Sequence, residues 1–402
     1  MRVPLWLAVA ALVAVLLVPS SAGAVSNLEM AVQDDSVFVS REYYNRDKAF
    51  THLQELKTTH LRVNVLWAAV VGKSAGSRTR PKKIKYDFVS YDQLVVAARA
   101  KGLQVQMALT GPAPAWAAGN RKRGPYKPNA KLYADFVKAT VSHFHSLVGR
   151  YSIWNEPNHV GWLAPVKSQP SLYRSLYKAG YSAAKKANKN AQVLIGETAP
   201  YARNSRTAQA PLKFLRSVVK GQKLRADGFA HHPYDYEHGP DYQFPGGDNV
   251  TIGTLGRLTS ALDAYAKNGS LRTPGGGALD VWLTEFGYFR TGRFKIPDET
   301  RGNHLKRAYD IARANPRVRQ MLHFLLIEPP KKYAFFDTSI VSRKGKGSAA
   351  FTALAQWAQA AFGGGGGGGG GGGTGGGGTG GGGTTPPPPP PCYLPGTTVP
   401  CP

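Results

Sequence analysis

Two glutamates stand out in the sequence because each follows a short apolar run and is flanked by residues that often bind ligands. Glu156 lies in a Trp-Asn-Glu-Pro motif at 154–157, and Glu285 lies in a Leu-Thr-Glu-Phe-Gly motif at 283–287. Two carboxyl groups can divide proton transfer and nucleophilic attack between them when a fold brings them together. This chemistry requires a fold that joins two residues far apart in the chain.

Further residues that could bind a substrate stand at similar positions, within or shortly after apolar runs. They are Arg62, Trp67, Trp116, Asn155, Glu197, His232 and Tyr234. His231 and His232 invite interpretation as a metal site, but adjacent residues on a strand point to opposite faces. No further His or Asp stands at ligand spacing. The sequence therefore predicts neither a metal site nor a cofactor.

The elements that must position these residues alternate along the chain. Eight apolar runs predict strands: Leu28–Val32, Leu61–Leu66, Leu103–Leu109, Tyr151–Trp154, Gln192–Ile195, Gly228–Ala230, Val281–Leu283 and Met321–Ile327. Helical patterns follow them, most with apolar residues at three- and four-residue spacing: Asp47–Leu56, Tyr91–Lys101, Lys131–Val148, Ser171–Ala187, Pro211–Val219, Leu255–Lys267, Glu299–Ala314 and Ser348–Ala361. Eight such units predict an α/β fold, a (β/α)8 TIM barrel. In such a barrel the chemistry lies at the carboxyl ends of the strands, where the residues above fall.

With its glutamate motifs at the ends of strands 4 and 7, the sequence resembles the retaining glycoside hydrolases of clan A and is similar to families 5 and 39. The resemblance covers most of residues 28–361. It implies hydrolysis of O-glycosidic bonds by double displacement, with Glu156 as acid and then base and Glu285 as nucleophile. Such an acid must hold its proton near neutral pH, whereas the nucleophile must stay ionised.

The resemblance also implies roles for the polar residues around the two glutamates. Asn155 is expected to bind the sugar hydroxyl beside the anomeric carbon, and Arg62 and Tyr234 are expected to hydrogen-bond Glu285. Together with His232, Arg62 and Tyr234 match auxiliary positions of these families. Ordinary buried hydrogen bonding is the alternative interpretation of Arg62 and Tyr234.

Other residues have two open interpretations. Trp67 and Trp116 either stack on sugar rings or pack within the protein, and Glu197 is either a substrate contact or a rim residue. Many clan relatives carry an aromatic platform, usually Trp, at the end of strand 8, where this chain has none. Phe324 could substitute for it, or Glu328 could bind a sugar hydroxyl.

The two ends of the chain differ from the region between them. Residues 1–24 are typical of a signal peptide, with an apolar run of fourteen residues and a small-x-small cleavage site. Residues 25–362 are the predicted catalytic domain. A low-complexity Gly/Thr and then Pro linker at 363–391 precedes a short cap at 392–402, bracketed by Cys392 and Cys401. We expect a secreted or cell-surface protein without a later membrane span, and leave open whether the cysteines pair.

Basic residues dominate the charge of the chain. Lys and Arg outnumber Asp and Glu by 51 to 24, a formal net charge of +27. Fifteen basic residues, here called the rim cations, lie on loops after strands 2, 3, 5 and 7: Lys73, Arg78, Arg80, Lys82, Lys83, Lys85, Arg121, Lys122, Arg123, Lys127, Arg203, Arg206, Arg290, Arg293 and Lys295. We expect these loops to overhang the cleft and to concentrate polyanions there.

Two classes of function follow. The first is an exported retaining glycosidase that acts on a polysaccharide or oligosaccharide, with an acidic glycan as one expected substrate. The alternative is a barrel that binds an anionic cell-wall or capsular polysaccharide without cleaving it. The basic surface and the tail would help either protein to associate with a cell wall. No nucleic-acid-binding motif is found, so nucleic acid is not an expected partner, and we expect a monomer.

Overall fold

The computed structural model describes residues 28–363, which fold into a closed barrel of eight parallel strands. The strands are β1 (Glu29–Gln33), β2 (His60–Leu66), β3 (Gln104–Thr110), β4 (Arg150–Ile153), β5 (Gln192–Thr198), β6 (Gly228–His231), β7 (Val281–Leu283) and β8 (Val318–Phe324). Each strand pairs with its neighbours in the chain, and β8 closes the ring against β1. The predicted (β/α)8 barrel is confirmed. The predicted signal peptide, cap and linker lie outside the described residues, apart from position 363.

A long helix follows every strand. These helices are α1 (Arg46–Glu55), α2 (Val89–Ala100), α3 (Ala130–His143), α4 (Gln169–Ala187), α5 (Pro211–Val219), α6 (Leu255–Lys267), α7 (Asp298–Ala314) and α8 (Ala349–Phe362). Short four-residue helices at Asp35–Phe38 and Trp67–Val70 follow β1 and β2. A two-stranded sheet outside the barrel joins Leu224–Arg225 to Leu271–Arg272. None of the helices at 28–363 is both long and apolar enough to cross a membrane.

Strand β8 is displaced at both ends from its predicted boundaries. The apolar run predicts Met321–Ile327, whereas the strand is Val318–Phe324. Gln320 is polar and does not belong to the apolar run, because it faces a polar layer inside the barrel. Its side-chain amide donates a hydrogen bond to Glu29 at 3.1 Å. Ile327 is apolar but has left the barrel and pairs with Val341 in the following loop.

The floor of the barrel, at the amino ends of the strands, contains a polar network of Glu29, Gln106, Arg150 and Gln320. Arg150 donates to both oxygens of Glu29, from Nη1 at 2.6 Å and from Nη2 at 2.8 Å. Gln106 bridges Arg150 and Gln320 through hydrogen bonds of 3.0 and 2.8 Å. Trp282 packs beside Arg150 within the barrel, with the guanidinium 5.2 Å from the ring centroid. The polar side chains at the floor therefore hydrogen-bond one another.

Loops at the opposite, carboxyl end of the barrel are tied together. The loop after β3 forms antiparallel bridges between Ala113 and Gly124 and between Ala118 and Pro128. Tyr126 of this loop pairs with Ala164 in the loop after β4. This end of the barrel is thus an ordered surface that can hold side chains in place.

Candidate active site

The ends of β4 and β7 bring the two predicted glutamates together at the carboxyl mouth of the barrel. Glu156 and Glu285 come shortly after these strands, and His232 comes directly after β6. One carboxylate oxygen from each glutamate and one ring nitrogen of His232 all lie within 4.8 Å of one another. The side chains of Glu156 and Glu285 remain 18% and 11% exposed, so a ligand can reach both.

Arg62 of β2 donates hydrogen bonds to several groups at the mouth. Its side chain is buried, and its Nη1 atom donates to Glu285 Oε1 at 2.9 Å and to Gln33. Its Nη2 atom donates to Asn155 Oδ1 at 2.8 Å and to Glu197 Oε2 at 3.1 Å. Burial lowers the pKa of Arg62, but the charges of Glu197 and Glu285 more than offset this and raise it. Arg62 is therefore a permanent cation beneath the site.

His232 contacts three carboxylates. Its Nδ1 atom lies 3.1 Å from Glu156 Oε1 and 3.6 Å from Glu285 Oε2, and its Nε2 atom lies 2.7 Å from Glu197 Oε2. Burial alone would lower its pKa, but the charge of Glu285 and the hydrogen bonds to Glu156 and Glu197 raise the pKa of His232 to about 10. At neutral pH His232 is an imidazolium that donates from both ring nitrogens.

Glu285 is held by donors on both of its oxygens. The Tyr234 hydroxyl donates to Oε2 at 3.3 Å, opposite the Arg62 bond to Oε1. Burial raises the pKa of Glu285, while the charges of His232 and Arg62 act against that rise. Burial also raises the pKa of Tyr234 well above its usual value, so its hydroxyl stays a neutral donor. The predicted contacts of Arg62 and Tyr234 with Glu285 are present.

The backbone at this site adopts unusual conformations. Trp154, Glu156 and Glu197 have φ angles of 73°, 36° and 51°, in the left-handed region that residues other than glycine rarely occupy. The register of β5 shifts between Gly196 and Thr198, which marks a bulge at Glu197. The Glu156 N–H donates to the Glu197 carbonyl at 2.8 Å and ties the ends of β4 and β5 together. Such strain persists only where surrounding structure enforces it, and it is concentrated at functional sites.

A cavity of about 850 Å³ opens above the two carboxylates. Aromatic side chains from several loops line it: Tyr43, Trp162, Tyr201, Tyr236, Phe335 and Phe336. Phe335, after β8, is 88% exposed and presents its ring to solvent at the cavity. Phe324 also lines the cavity, whereas Glu328 does not and pairs with Arg290 at 3.0 Å. Of the two predicted substitutes for a strand 8 Trp, Phe324 is the one at the cavity.

Trp67 and Trp116 are not at the cavity. Trp67 is fully buried and stacks on Phe136 with the ring centroids 5.8 Å apart. Trp116 packs edge-on against Trp67 and is 6% exposed, and neither ring lines the cavity. The prediction that they stack on sugar in the cleft is wrong. The sequence showed that both follow strands, but the turns after β2 and β3 direct the rings into the layer between barrel and helices.

Glu197 is buried beneath the site and does not contact the cavity. Its side chain is 0% exposed, and its Oε2 atom accepts hydrogen bonds from Arg62, His232 and, at 2.6 Å, the Thr284 hydroxyl. Burial raises its pKa, but the charge of Arg62 and the His232 hydrogen bond lower the pKa of Glu197 to about 2. The prediction of a direct substrate contact is therefore wrong. Glu197 is a permanent anion that positions two cations.

As a group, the rim cations do not line the cavity. All fifteen lie in the described part of the chain, and Arg203 alone among them lines the cavity. Its guanidinium pairs with Glu237 at 2.9 Å, so even this charge is compensated. Asp35 and Glu42 line the cavity and make its wall more acidic. The other fourteen rim cations do not line the cavity, which their positions in the sequence did not reveal.

Glu156, His232 and Glu285 are also close enough together to be considered as a metal site. A metal ligand must be deprotonated, and a pKa of about 10 keeps His232 protonated at neutral pH. Arg62 already supplies a cation to Glu285 at 2.9 Å. His231, on the other face of the strand, bonds Thr198 and the Val250 carbonyl instead of the carboxylates. The carboxylates of this cluster therefore already have cationic partners in Arg62 and His232.

No protein-family model matches the chain, and no curated protein matches it in sequence. Solved structures do match. A family 39 glycoside hydrolase from Bacteroides cellulosilyticus WH2 aligns with a TM-score of 0.63 and 20% identity, over 83% of this chain and 64% of that one. This chain therefore spans just under two thirds of that protein's length.

Two further structures are similar. A monomeric β-xylosidase from Caulobacter crescentus CB15 aligns with a TM-score of 0.57 and 21% identity, over 82% of this chain and 67% of that one. Xylanase 10B from Thermotoga petrophila RKU-1, solved with xylobiose, aligns with a TM-score of 0.54 and 15% identity. The alignment covers 84% of this chain and 95% of that one. The barrel resembles those of clan A glycoside hydrolases. The expected resemblance is confirmed at the level of the fold.

Several residues of the site were missed by the sequence analysis. Gln33 ends β1 and accepts a hydrogen bond from Arg62, and Asp35 follows β1 and lines the cavity. The sequence could have indicated both residues, because they stand just after the first apolar run, as Glu156 stands just after the fourth. Trp162 and Phe335 had no such signal, since they stand far along loops whose paths depend on tertiary contacts.

Proposed function

We propose that this protein is an exported retaining glycoside hydrolase that cleaves O-glycosidic bonds by a double displacement. The observation that supports this most directly is the pair of carboxylates of Glu156 and Glu285, which have oxygens within 4.8 Å of each other at the mouth of the barrel. Retaining enzymes hold their two carboxyl groups about 5–5.5 Å apart, whereas inverting enzymes need about 6.5–9.5 Å to admit a water molecule. The spacing therefore favours retention.

In the first step, protonated Glu156 donates its proton to the glycosidic oxygen as the bond from that oxygen to the anomeric carbon breaks. Glu285 attacks the anomeric carbon and forms a glycosyl ester, and the leaving group departs as an alcohol. Arg62 and Tyr234 hold the Glu285 oxygens in place with hydrogen bonds of 2.9 and 3.3 Å. A fixed nucleophile lowers the entropic barrier to attack.

In the second step, water attacks the same carbon and releases Glu285. Glu156 now accepts the proton of that water, so the enzyme returns to its starting state. His232 contacts both carboxyl groups and can balance the charge in either state.

The cavity supports a sugar chain as the substrate. Its aromatic lining offers flat apolar faces for pyranose rings, and Asn155 lies among the lining residues. Arg62 occupies the Asn155 Oδ1 atom, so the amide N–H₂ group remains to donate to a sugar hydroxyl. The β-xylosidase and xylanase among the similar structures make β-xylosides the first substrates to test.

The test is hydrolysis of aryl β-glycosides and a panel of neutral and acidic polysaccharides by the purified full-length protein. Proton NMR during the first turnovers reports the configuration of the released sugar, and we expect it to be retained. Glu285→Gln should show no turnover under the same conditions. Release of the opposite anomer would overturn the proposed double displacement.

Binding of a polysaccharide with no hydrolysis of any substrate would instead support the alternative function, a barrel that holds a glycan without cleaving it. Residual hydrolysis by Glu285→Gln equal to that of the original protein would contradict the assignment of Glu285.

A further inference from the structure

A second pocket lies outside the proposed active site, between the loops that follow β2 and β3. It has a volume of about 370 Å³. Here called the basic groove, it is lined by Arg78, Arg80, Trp116, Arg121, Lys127 and Asn129, together with short backbone stretches. It shares no lining residue with the cavity above the two glutamates.

The groove gathers positive charge that the protein does not neutralise. Within residues 28–363, Arg78, Arg121 and Lys127 form no ion pair. Arg80 pairs with Asp135 at 2.9 Å, but these side chains are 46% and 52% exposed, so water screens the pair. Four cations around one pocket with a single carboxylate nearby favour an anion as the occupant.

The backbone holds these cations in place. Arg121 Nη1 donates to the Arg78 carbonyl at 2.9 Å and joins the two loops. Arg121 and Lys127 have φ angles of 56° and 45°, which are strained for residues with a side chain. Gly119 donates to the Lys127 carbonyl at 3.2 Å, and a Cβ atom on Gly119 would come within 2.9 Å of Lys127 Cβ. Strain that the surrounding structure enforces is a mark of a functional segment.

A buried tryptophan and the residue that caps helix α3 form part of the groove wall. Trp116 is 6% exposed, and its buried indole N–H has no hydrogen-bond partner among the described residues. Asn129 caps helix α3, where its side chain accepts from the Leu132 N–H. The groove therefore meets the amino end of a fourteen-residue helix, the end at which the helix dipole favours anions.

We propose that the basic groove is a separate binding site for the anionic groups of an acidic glycan chain, namely its carboxylates or phosphates. Arginine matches both groups with paired N–H donors. The site goes beyond the proposed hydrolysis, because binding in the groove needs neither Glu156 nor Glu285. It would hold an acidic chain on the surface formed by the loops after β2 and β3.

The test measures binding to the full-length protein by calorimetry, which does not depend on turnover. The probes are oligogalacturonate for carboxylates, poly(glycerol phosphate) for phosphates, xylo-oligosaccharide as a neutral glycan, and single-stranded DNA. Arg78→Gln/Arg121→Gln removes two charges from the groove, and Lys82→Gln/Lys83→Gln removes two from the loop after β2 outside the groove. Lys127→Gln is the second groove variant, because its side chain does not tie the loops together.

We expect both groove variants to weaken binding of at least one acidic glycan by about tenfold or more. The control variant should change it little, and hydrolysis of an aryl glycoside should be unchanged in all three. The acidic probe that responds identifies the anionic group. Equal weakening by the control variant would overturn the proposal, as would failure of both acidic glycans to bind. Binding of DNA as tight as that of the glycan would also overturn it, because the groove would then be a general polyanion surface.

Discussion

The floor and the mouth of this barrel each contain an arginine bound to a carboxylate, partly exposed at the floor and buried at the mouth, and the two networks differ in charge balance. At the floor, Arg150 meets one carboxylate, Glu29, and saturates both of its oxygens. Burial raises the pKa of Glu29, but the Arg150 hydrogen bonds and charge outweigh burial and lower it. Arg150 and Glu29 form an ion pair without net charge in which both groups remain ionised. Both oxygens of Glu29 are occupied by hydrogen bonds from Arg150.

At the mouth, three glutamates share the two cations Arg62 and His232. The excess of negative charge and the burial leave Glu285 with a raised pKa, the opposite of Glu29. The mouth also lines the cavity, whereas Glu29, Gln106, Arg150 and Gln320 at the floor do not. The comparison teaches that a buried Arg–Glu contact is not itself a sign of catalysis. The mouth differs from the floor in its unbalanced charge and in its access to a ligand.

The largest expected difference between the two networks is in turnover. Glu285→Gln removes the nucleophile and should lower kcat by at least about 10⁴-fold. Glu29→Gln is the matched control, because it makes the same change at the floor and should keep kcat close to that of the original protein. Steady-state kinetics on an aryl β-glycoside measure both. A similar loss in the two variants would mean that the floor and the mouth do not differ as proposed.

Glu156 should show its role through the leaving group. Glu156→Ala should slow substrates with poor leaving groups by about 10²–10⁴-fold, because these need a proton on the departing oxygen. Activated aryl glycosides should be slowed much less in the first step. Comparing kcat/KM over a series of leaving groups measures this, and equal losses across the series would argue against Glu156 as the acid.

His232 should contribute stability that depends on pH. Its folded pKa of about 10 exceeds the ordinary 6.5, so its contribution is fully present below pH 6.5 and is lost as the pH rises through 10. Near pH 6, His232→Asn should lower the free energy of unfolding by about 3–5 kcal/mol, since it leaves buried carboxylates without their cation. In urea denaturation from pH 6 to 10, the difference in free energy of unfolding between His232→Asn and the original protein should become smaller as the pH rises.

His231→Asn is the control for that experiment. The adjacent His231 is also buried, and burial lowers its pKa to about 3, so it stays neutral above pH 6.5. Its effect on unfolding should be constant between pH 7 and 10. A narrowing of the same size in both variants would show that the His232 charge is not the cause.

The smallest expected effect is at the floor. Glu29→Gln should lower the free energy of unfolding by about 1.5–3 kcal/mol, the usual contribution of hydrogen bonds to a charged group. Because the folded pKa of Glu29 is lowered, its contribution is present above about pH 4.5 and is lost as the pH falls through the folded value. Urea midpoints at pH 7 and pH 3.5 check this, and a deficit that grows at acid pH would contradict it.

The repeating part of the structure was predictable from the sequence. Buried parallel strands read as apolar runs, and the helices that cover them read as spaced apolar residues, so the eight units appeared in order. The shift of β8 shows the limit of this rule. Gln320 belongs to the strand because it bonds Glu29 and Gln106 inside the barrel, a partnership that a local apolar pattern does not contain.

The sequence by itself determined the barrel, the positions of Glu156 and Glu285 at strand ends, and the positive charge of the chain. Parallel strands have one carboxyl end, so residues after each strand must gather at one mouth. Tertiary structure alone decided which neighbours face that mouth. Trp67 and Glu197 are buried, Glu197 at a bulge in β5, and fourteen of the fifteen rim cations do not line the cavity. Strand position sets where a residue lies along the barrel, but the path of each loop sets where its side chain points.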